Sequence, residues 1–393
     1  MTRSPGVSVV TGPAARGESP AAFNRRCLQP DCVLPRSNTA GMLPRHALSG
    51  PAATSIGTGF GATRDFHHGL LALLVCVPLI GVLAPTASAQ TVTLEPVGVI
   101  PGPAEHVRVQ GDFVYVSHHT TFTVWDVSNP AAPRQMGSTE FPEEIWGFRV
   151  RGDRAYVGAN FFGVGILDLS DPAAPTLLGS HKTLGQTKIG AVYENRVVLI
   201  DHMEGMVMVD ISDETAPTAA GSFFLDGYAR DVVTSGKMAY ATDSPTGLYV
   251  FDLSVPGPPE PVGILHAPAS PRFIEVQREV GEPSGIVAGA GAGQLQIYDV
   301  SNPAMPVKAA TFETPGRASR VAMAGSLVFV ADAQAGITIV DISTPSAPTA
   351  AGHFQTDAPA RDIAATDTHV FVVVGAGERQ EGRTEVQILR RAM

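Results

Sequence analysis

The stretch FTVWDVSNPAAP, residues 122–133, returns as VGILDLSDPAAP at 164–175, MVMVDISDETAP at 206–217, LYVFDLSVPGPP at 248–259, LQIYDVSNPAMP at 295–306 and ITIVDISTPSAP at 337–348. Its anchor aspartates, Asp126, Asp168, Asp210, Asp252, Asp299 and Asp341, are separated by 42, 42, 42, 47 and 42 residues. A period near forty filled with short apolar runs is the signature of a radial or stacked β array, in which each unit buries its faces only against its neighbours.

Four strand-like runs fill each unit, most clearly PTAAGSF from Pro217, ARDVVTSG from Ala229, KMAYATD from Lys237 and GLYVFDLS from Gly247. They alternate over short lengths and are bounded by Gly, Ser, Asp and Pro, and no segment keeps a helical period. The anchor Asp is expected to end the third strand. The Pro residues after it (Pro130, Pro172, Pro256, Pro303, Pro345) fix φ and refuse a ladder hydrogen bond, so pairing stops there. Six carboxylates on six units are too far apart to form one catalytic pair, and the column reads as turn chemistry.

A seventh, degenerate unit closes the chain: EVQILRR from Glu385 matches GITIVDI from Gly336 but carries Arg390 where the Asp belongs. At the other end LEPVGVI from Leu94 matches PEPVGIL from Pro259, placing Gly98 in the column of Gly137, Gly179, Gly221, Gly263 and Gly352. The first strand is therefore expected to complete the last sheet, which closes a ring and removes exposed edges. The predicted architecture is an all-β, seven-bladed propeller of four-stranded antiparallel blades over residues 90–393, expected to be monomeric.

The phrases VWDVSNPAAP, ILDLSDPAAP, IYDVSNPAMP and IVDISTPSAP resemble the LVIVD repeat, and the resemblance runs in register through essentially all of residues 90–393. It implies a propeller of the kind carried by exported and cell-surface proteins of bacteria and archaea, whose activities are mostly unassigned. Blade three departs with Glu214 in place of Pro, and blade five carries an insertion near residues 278–285.

Ahead of the repeats lies GLLALLVCVPLIGVLA from Gly69, sixteen residues long, with Arg64 before it and Ala87-Ser88-Ala89 after it. That is shorter than the about 20 residues a spanning helix needs and ends in a small-residue cleavage site, so residues 64–89 read as a signal peptide. Residues 1–63, rich in Pro, Gly, Ser and Arg, read as a disordered extension or a start codon placed too early. All three cysteines (Cys27, Cys32, Cys76) precede the cleavage site. The exported chain would then hold 20 basic and 34 acidic residues, a net charge of −14 without histidine. That balance argues against nucleic acid and anionic membranes as partners and leaves a protein, a glycan or a small anionic ligand, met in the periplasm, at the cell surface or outside the cell.

Two clusters are candidates for a site. One column at the start of the channel-lining strands reads Glu105, Trp146, Lys188, Arg230, Arg272, Ser319 and Arg361; the next reads His106, Gly147, Ile189, Asp231, Phe273, Arg320 and Asp362. Cations converging on a channel mouth hold carboxylates or phosphates by forked hydrogen bonds. The plainer alternative treats the recurring Ala-Arg-Asp of 229–231 and 360–362 as blade-to-blade ion pairs. The second cluster is His106, His118 and His119 on blade one, three imidazoles that suit a divalent metal if they meet. Asp201, His202, Asp243 and Asp332 occupy equivalent loops elsewhere around the rim. Trp146, Phe161 and Phe162 are candidates for stacking a sugar or aromatic ligand.

No P-loop, G-x-S-x-G elbow, H-E-x-x-H or C-x-x-C occurs, and the Gly-rich run from Gly289 leads into no helix. The Gly377–Gly382 loop reads as solvated charge. The sequence thus favours a non-enzymatic exported scaffold presenting its top face and channel to a ligand, with no cofactor. The alternative is a hydrolase or lyase using the histidines and basic column, with a divalent metal.

Overall fold

The computed structural model describes residues 91–267, 271–276, 286–291, 293–375 and 384–392. The extension, the signal-peptide segment, the cysteines, the blade-five insertion and the Gly377–Gly382 loop lie outside these residues. The described residues form seven four-stranded antiparallel sheets and one short 3-10 turn at Asn160–Phe162. Within the propeller no described helix is long and apolar enough to cross a membrane.

Blade one shows the pattern. Its strands His106–Gln110, Phe113–His118, Thr121–Asp126 and Arg134–Glu140 pair in sequence order, each with the next. Neighbouring first strands pack against one another all the way round, and Ala360–Ala365 of blade seven returns to His106–Gln110. Ring closure follows the predicted exchange: Thr93–Ile100 forms the outer strand of blade seven, with Pro96 opposite Leu389 and Ile100 opposite Val386.

The apolar core is divided into seven clusters, one for each blade interface. Between blades three and four, for example, Val198, Ile200 and Met208 meet Val232, Tyr249 and Phe251. Alternation along each strand sends one set of side chains to each flanking interface, which is why a unit cannot bury its faces alone.

Two conserved-looking features of the repeat tie the blades at their outer edge. Each anchor carboxylate caps its own turn by accepting the N–H two residues on, as Asp126 does from Ser128 at 2.9 Å and Asp341 from Ser343 at 2.8 Å. The serine hydrogen bonds hold Asp126 and Asp210 below the ordinary carboxylate range. The turn so shaped lies against the glycine column of the preceding blade. A Cβ at Gly263 would stand 2.0 Å from the Pro303 carbonyl oxygen, and one at Gly98 would stand 1.9 Å from that of Pro130. Only glycine permits that approach. Blade three's departure has its own use: Glu214 accepts from Arg154 Nε of blade two at 2.6 Å.

Candidate functional site

The first strands do not all enter their sheets in the same way, and the differences decide what faces the channel. A bulge leaves Trp146, Arg230 and Arg361 without a ladder partner, between Ile145 and Gly147, Ala229 and Asp231, and Ala360 and Asp362. In blade three the bulge comes later, at Gly190, so Lys188 takes a ladder position opposite Ile200. A Cβ at Gly190 would meet Val232 at 1.9 Å, which fixes the displacement there.

Lys188 therefore stands in the ladder row of Asp231, which the alignment of the sequence assigned to Ile189. The row facing the channel is His106, Gly147, Lys188, Asp231, Phe273, Arg320 and Asp362.

This row closes the channel. Asp231 Oδ1 meets Lys188 Nζ at 3.1 Å, and its Oδ2 lies 4.0 Å from Arg320. Asp362 meets Arg108 at 3.0 Å and Arg320 Nε at 3.6 Å. Arg320 also lies over Phe273, its Cζ 3.6 Å from the ring centre, and the Lys188 ammonium stands 4.3 Å from the same ring. Each Asp further accepts a main-chain N–H from the next blade, Ile274 onto Asp231 at 3.2 Å and Val107 onto Asp362 at 3.0 Å.

Burial pushes both carboxyls upward, but the facing cations outweigh it and hold both below the ordinary range, Asp362 well below. Burial pulls the Lys188 ammonium down to about 7, with Asp231 opposing and Arg320 adding to the fall. His106 is likewise lowered by burial despite Asp362 beside it, and so stays neutral at pH 7.

Of each Ala-Arg-Asp triplet only the aspartate makes the expected blade-to-blade ion pairs, Asp231 with Lys188 and Asp362 with Arg108 and Arg320. These aspartates turn inward to lysine and other arginines, while Arg230 and Arg361 turn outward to a cavity of about 520 Å³ above the plug. Glu105, Trp146, Lys188, Arg230, Arg272 and Arg361 all line it, as does Ser319. Among the described residues no carboxylate lies within ion-pair distance of Arg230, Arg272 or Arg361.

The wall over blades two to four is aromatic. Trp146 meets His202 edge-on at 5.5 Å, His202 meets Tyr228 at 4.6 Å, and Arg230 lies 4.6 Å over the Tyr228 ring. Tyr228 Oη and Gln186 Oε1 lie 3.1 and 3.3 Å from His202 Nδ1, and burial lowers the His202 pKa. Phe162 instead packs on Phe141, and Phe161 is exposed. A second cavity of about 250 Å³ lies on the other side of the plug, between Arg108, Arg149 and Glu275.

The three histidines of blade one do not come together. His106 is the ladder partner of Ser117, so it and His118 leave opposite faces of the sheet. Its Nδ1 lies 3.6 Å from Asp362, on the channel side. The residue that joins His118 and His119 is Glu105, whose main-chain N–H donates to the Ser117 carbonyl at 2.8 Å.

Asp201, Asp243 and Asp332 are fully buried clamps of the rim loops, accepting the main-chain N–H of Gly185, Gly227 and Gly316 at 2.8, 2.7 and 2.9 Å. Tyr228 and the structural use of Phe273 and Arg320 were not anticipated. The signal for Tyr228 is its place two residues ahead of a bulged Arg, on the same side of the strand.

A closed ring of seven four-stranded sheets with a basic, aromatic-walled mouth defines a β-propeller. The LVIVD repeat model matches residues 101–140, 145–183, 185–224, 226–265, 289–314 and 315–356, and the chain belongs to that family. Blade seven carries no match, consistent with its split between the two ends of the propeller segment.

No curated protein matches the chain. Among solved structures, RRP9 WD40 repeats are 9% identical with a TM-score of 0.62, over 76% of this chain and 100% of that one. The computationally designed Ika8 protein is 10% identical with a TM-score of 0.55, over 75% and 99%. A chain of a mitotic checkpoint complex is 11% identical with a TM-score of 0.57, over 83% and 99%. At such identities the likeness is one of fold alone.

Proposed function

We propose that this protein is an exported, non-enzymatic binding module that takes an anionic ligand with a ring face, such as an acidic sugar, at the mouth of its channel. One observation carries the reading: Arg230, Arg272 and Arg361 border one open cavity and none forms an ion pair with a carboxylate among the described residues, although Glu105, Glu144 and Asp362 also line it. The chain's net charge is −10, so three arginines gathered without acidic partners run against its general balance. Trp146 and Tyr228 stand on the wall that carries Arg230, and rings of this kind suit stacking by a sugar or aromatic ligand. Below them the ion web fills the channel, so a ligand rests on a rigid floor. The apolar run from Gly69 and the small-residue site after it support export to the periplasm, the cell surface or beyond.

The test is calorimetric titration of the purified chain with glucuronate, galacturonate, sialate, benzoate and inorganic phosphate, each beside its neutral counterpart where one exists. Binding should be confined to the anions, weaken with salt, and fall about tenfold or more in Arg230→Ala and Arg361→Ala, the loss of one charge-assisted hydrogen bond. Equal binding of neutral and charged sugars, or binding indifferent to both arginines, defeats the proposal.

A further inference from the structure

The repeat supplies its own control for the cluster on blade one. At the end of the second strand, blades three, four and six place Asp201, Asp243 and Asp332, all fully buried and each accepting a main-chain N–H of a rim loop. In blade one the same position is His118, and a carboxylate comes instead from Glu105, whose main-chain N–H donates to the neighbouring Ser117 carbonyl. Glu105 takes over part of the clamp, since its Oε2 accepts the His119 N–H at 3.0 Å. Its other oxygen, Oε1, is sealed from solvent and accepts no hydrogen bond from the described residues. A buried carboxylate oxygen without a donor is costly unless something cationic meets it.

What lies beside it is imidazole. His119 Nδ1 is 3.9 Å from that oxygen, and the His118 and His119 rings stand 4.1 Å apart at 66°. His119 has a φ of +48°, a left-handed conformation uncommon outside glycine, which brings two consecutive side chains to the same side of the loop. One ligand atom from each of Glu105, His118 and His119 lies within 4.8 Å of the others.

We propose that Glu105, His118 and His119 form a binding site for a divalent first-row transition metal, with zinc as the reference ion. Two imidazoles and one carboxylate match the donor preference of zinc and exclude magnesium and calcium, which favour all-oxygen sets. The metal satisfies the orphan Oε1, and closing the set requires only a contraction of about an ångström toward zinc–ligand distances. Three protein ligands leave a coordination position open. Glu105 also lines the arginine cavity, so the site and the cavity share that residue. The site stands on blade-one residues alone and holds whether or not the arginines bind an anion.

The experiment is isothermal titration of the chelator-stripped chain with Zn²⁺, with Mg²⁺ and Ca²⁺ in parallel. One equivalent of Zn²⁺ should bind saturably, Mg²⁺ and Ca²⁺ should not, and His353→Ala, at an exposed position on an outer strand of blade six, should leave uptake unchanged. Glu105→Gln, which keeps the shape and an acceptor for the His119 N–H, should weaken Zn²⁺ by at least about tenfold, as should His119→Ala on the exposed loop; losing even an outer partner of a metal ligand has that effect. Thermal melts of the stripped variants check that the ring is intact, and because His119 is on the surface its variant gives a reading even if Glu105→Gln unsettles the loop. The absence of a saturable equivalent in the parent chain, or uptake unaltered in both variants, overturns the site.

Discussion

Arg361 and Asp362 are neighbours in sequence, and the structure assigns them opposite work, so replacing each by alanine tests the division between site and scaffold. The Asp362 side chain is 3% exposed, meets Arg108 at 3.0 Å and Arg320 at 3.6 Å, and accepts the Val107 N–H at 3.0 Å. Asp362→Ala leaves two buried guanidiniums facing each other and one main-chain donor unpaired. Breaking a buried pair from one side costs about 3–5 kcal/mol. For a domain approaching 300 residues each kcal/mol moves the melting temperature by about 2 °C, so the expected fall is about 6–10 °C. Arg361 has no carboxylate partner among the described residues, and Arg361→Ala should change stability by no more than about 0.5 kcal/mol, or about 1 °C. Differential scanning fluorimetry or circular dichroism at pH 7 reads both. Comparable losses in the two variants would show that Arg361 belongs to the scaffold and would refute the assignment of the bulged arginines to a ligand. A negligible loss in Asp362→Ala would refute the ion web as the floor of the cavity.

The same carboxylate sets part of the acid response. Because its folded-state pKa lies well below the ordinary value of 3.8, its contribution is complete above that value and is lost as pH falls through the depressed one. Asp362→Asn should therefore be less stable at pH 7 yet lose less stability than the parent below pH 4, as read by urea unfolding at stepped pH. Burial of Lys188 acts in the same direction at high pH: between about 7 and 10.5 the unfolded chain holds the proton that the folded chain releases, so stability should rise with pH over that window and the rise should flatten in Lys188→Met. Gly263→Ala places a Cβ 2.0 Å from the Pro303 carbonyl oxygen, and forcing the two blades apart should cost about 1–3 kcal/mol in thermal unfolding. Of the two tryptophans in the chain, Trp125 is buried and Trp146 lines the cavity. Ligand binding should thus alter the intrinsic fluorescence, and that response should vanish in Trp146→Phe while the Trp125 signal persists.

The ring was legible because its determinants are periodic. The Asp-turn phrase and the glycine column are two halves of one contact, the capped turn of one blade on the outer strand of the preceding blade, so both recur at the blade interval. Gly98 exposed the strand exchange because it carries the column's residue without the rest of a unit. The cavity lining was legible as well, since equivalent positions in a closed ring face the same mouth. What could not be read was the direction of single side chains. The bulge at Gly190 shifts Lys188 by one ladder row, and no residue in Thr-Lys-Ile-Gly announces whether the extra residue falls at Lys188 or at Gly190 until Val232 of the next blade closes the space. Likewise His106 and His118 are close along the hairpin, yet the register of His106 opposite Ser117 parts them by the period of two.

The departures from the repeat carry more functional information than the repeat itself. Where blades four and seven repeat Ala-Arg-Asp, the aspartates fasten the first strand of the following blade through the Ile274 and Val107 N–H groups, a role the fold requires at any interface that uses it. The arginines beside them fasten no such strand. They sit on residues that the bulge has removed from the ladder, so the fold tolerates many side chains there, and Trp146 occupies the same bulged position in blade two. A position free of ladder constraint that nevertheless holds arginine twice and tryptophan once, around a single cavity, is better explained by what enters the cavity than by what holds the ring. The argument makes a separable demand: exchanging Trp146 and Arg230 between their two bulges should leave melting within about 1 °C of the parent, since neither bulge holds the sheet. Binding should nevertheless change, because the guanidinium would leave the Tyr228 ring and the indole would leave His202. Unchanged affinity in that double variant, with the fold intact, would mean that the arrangement around the mouth is incidental.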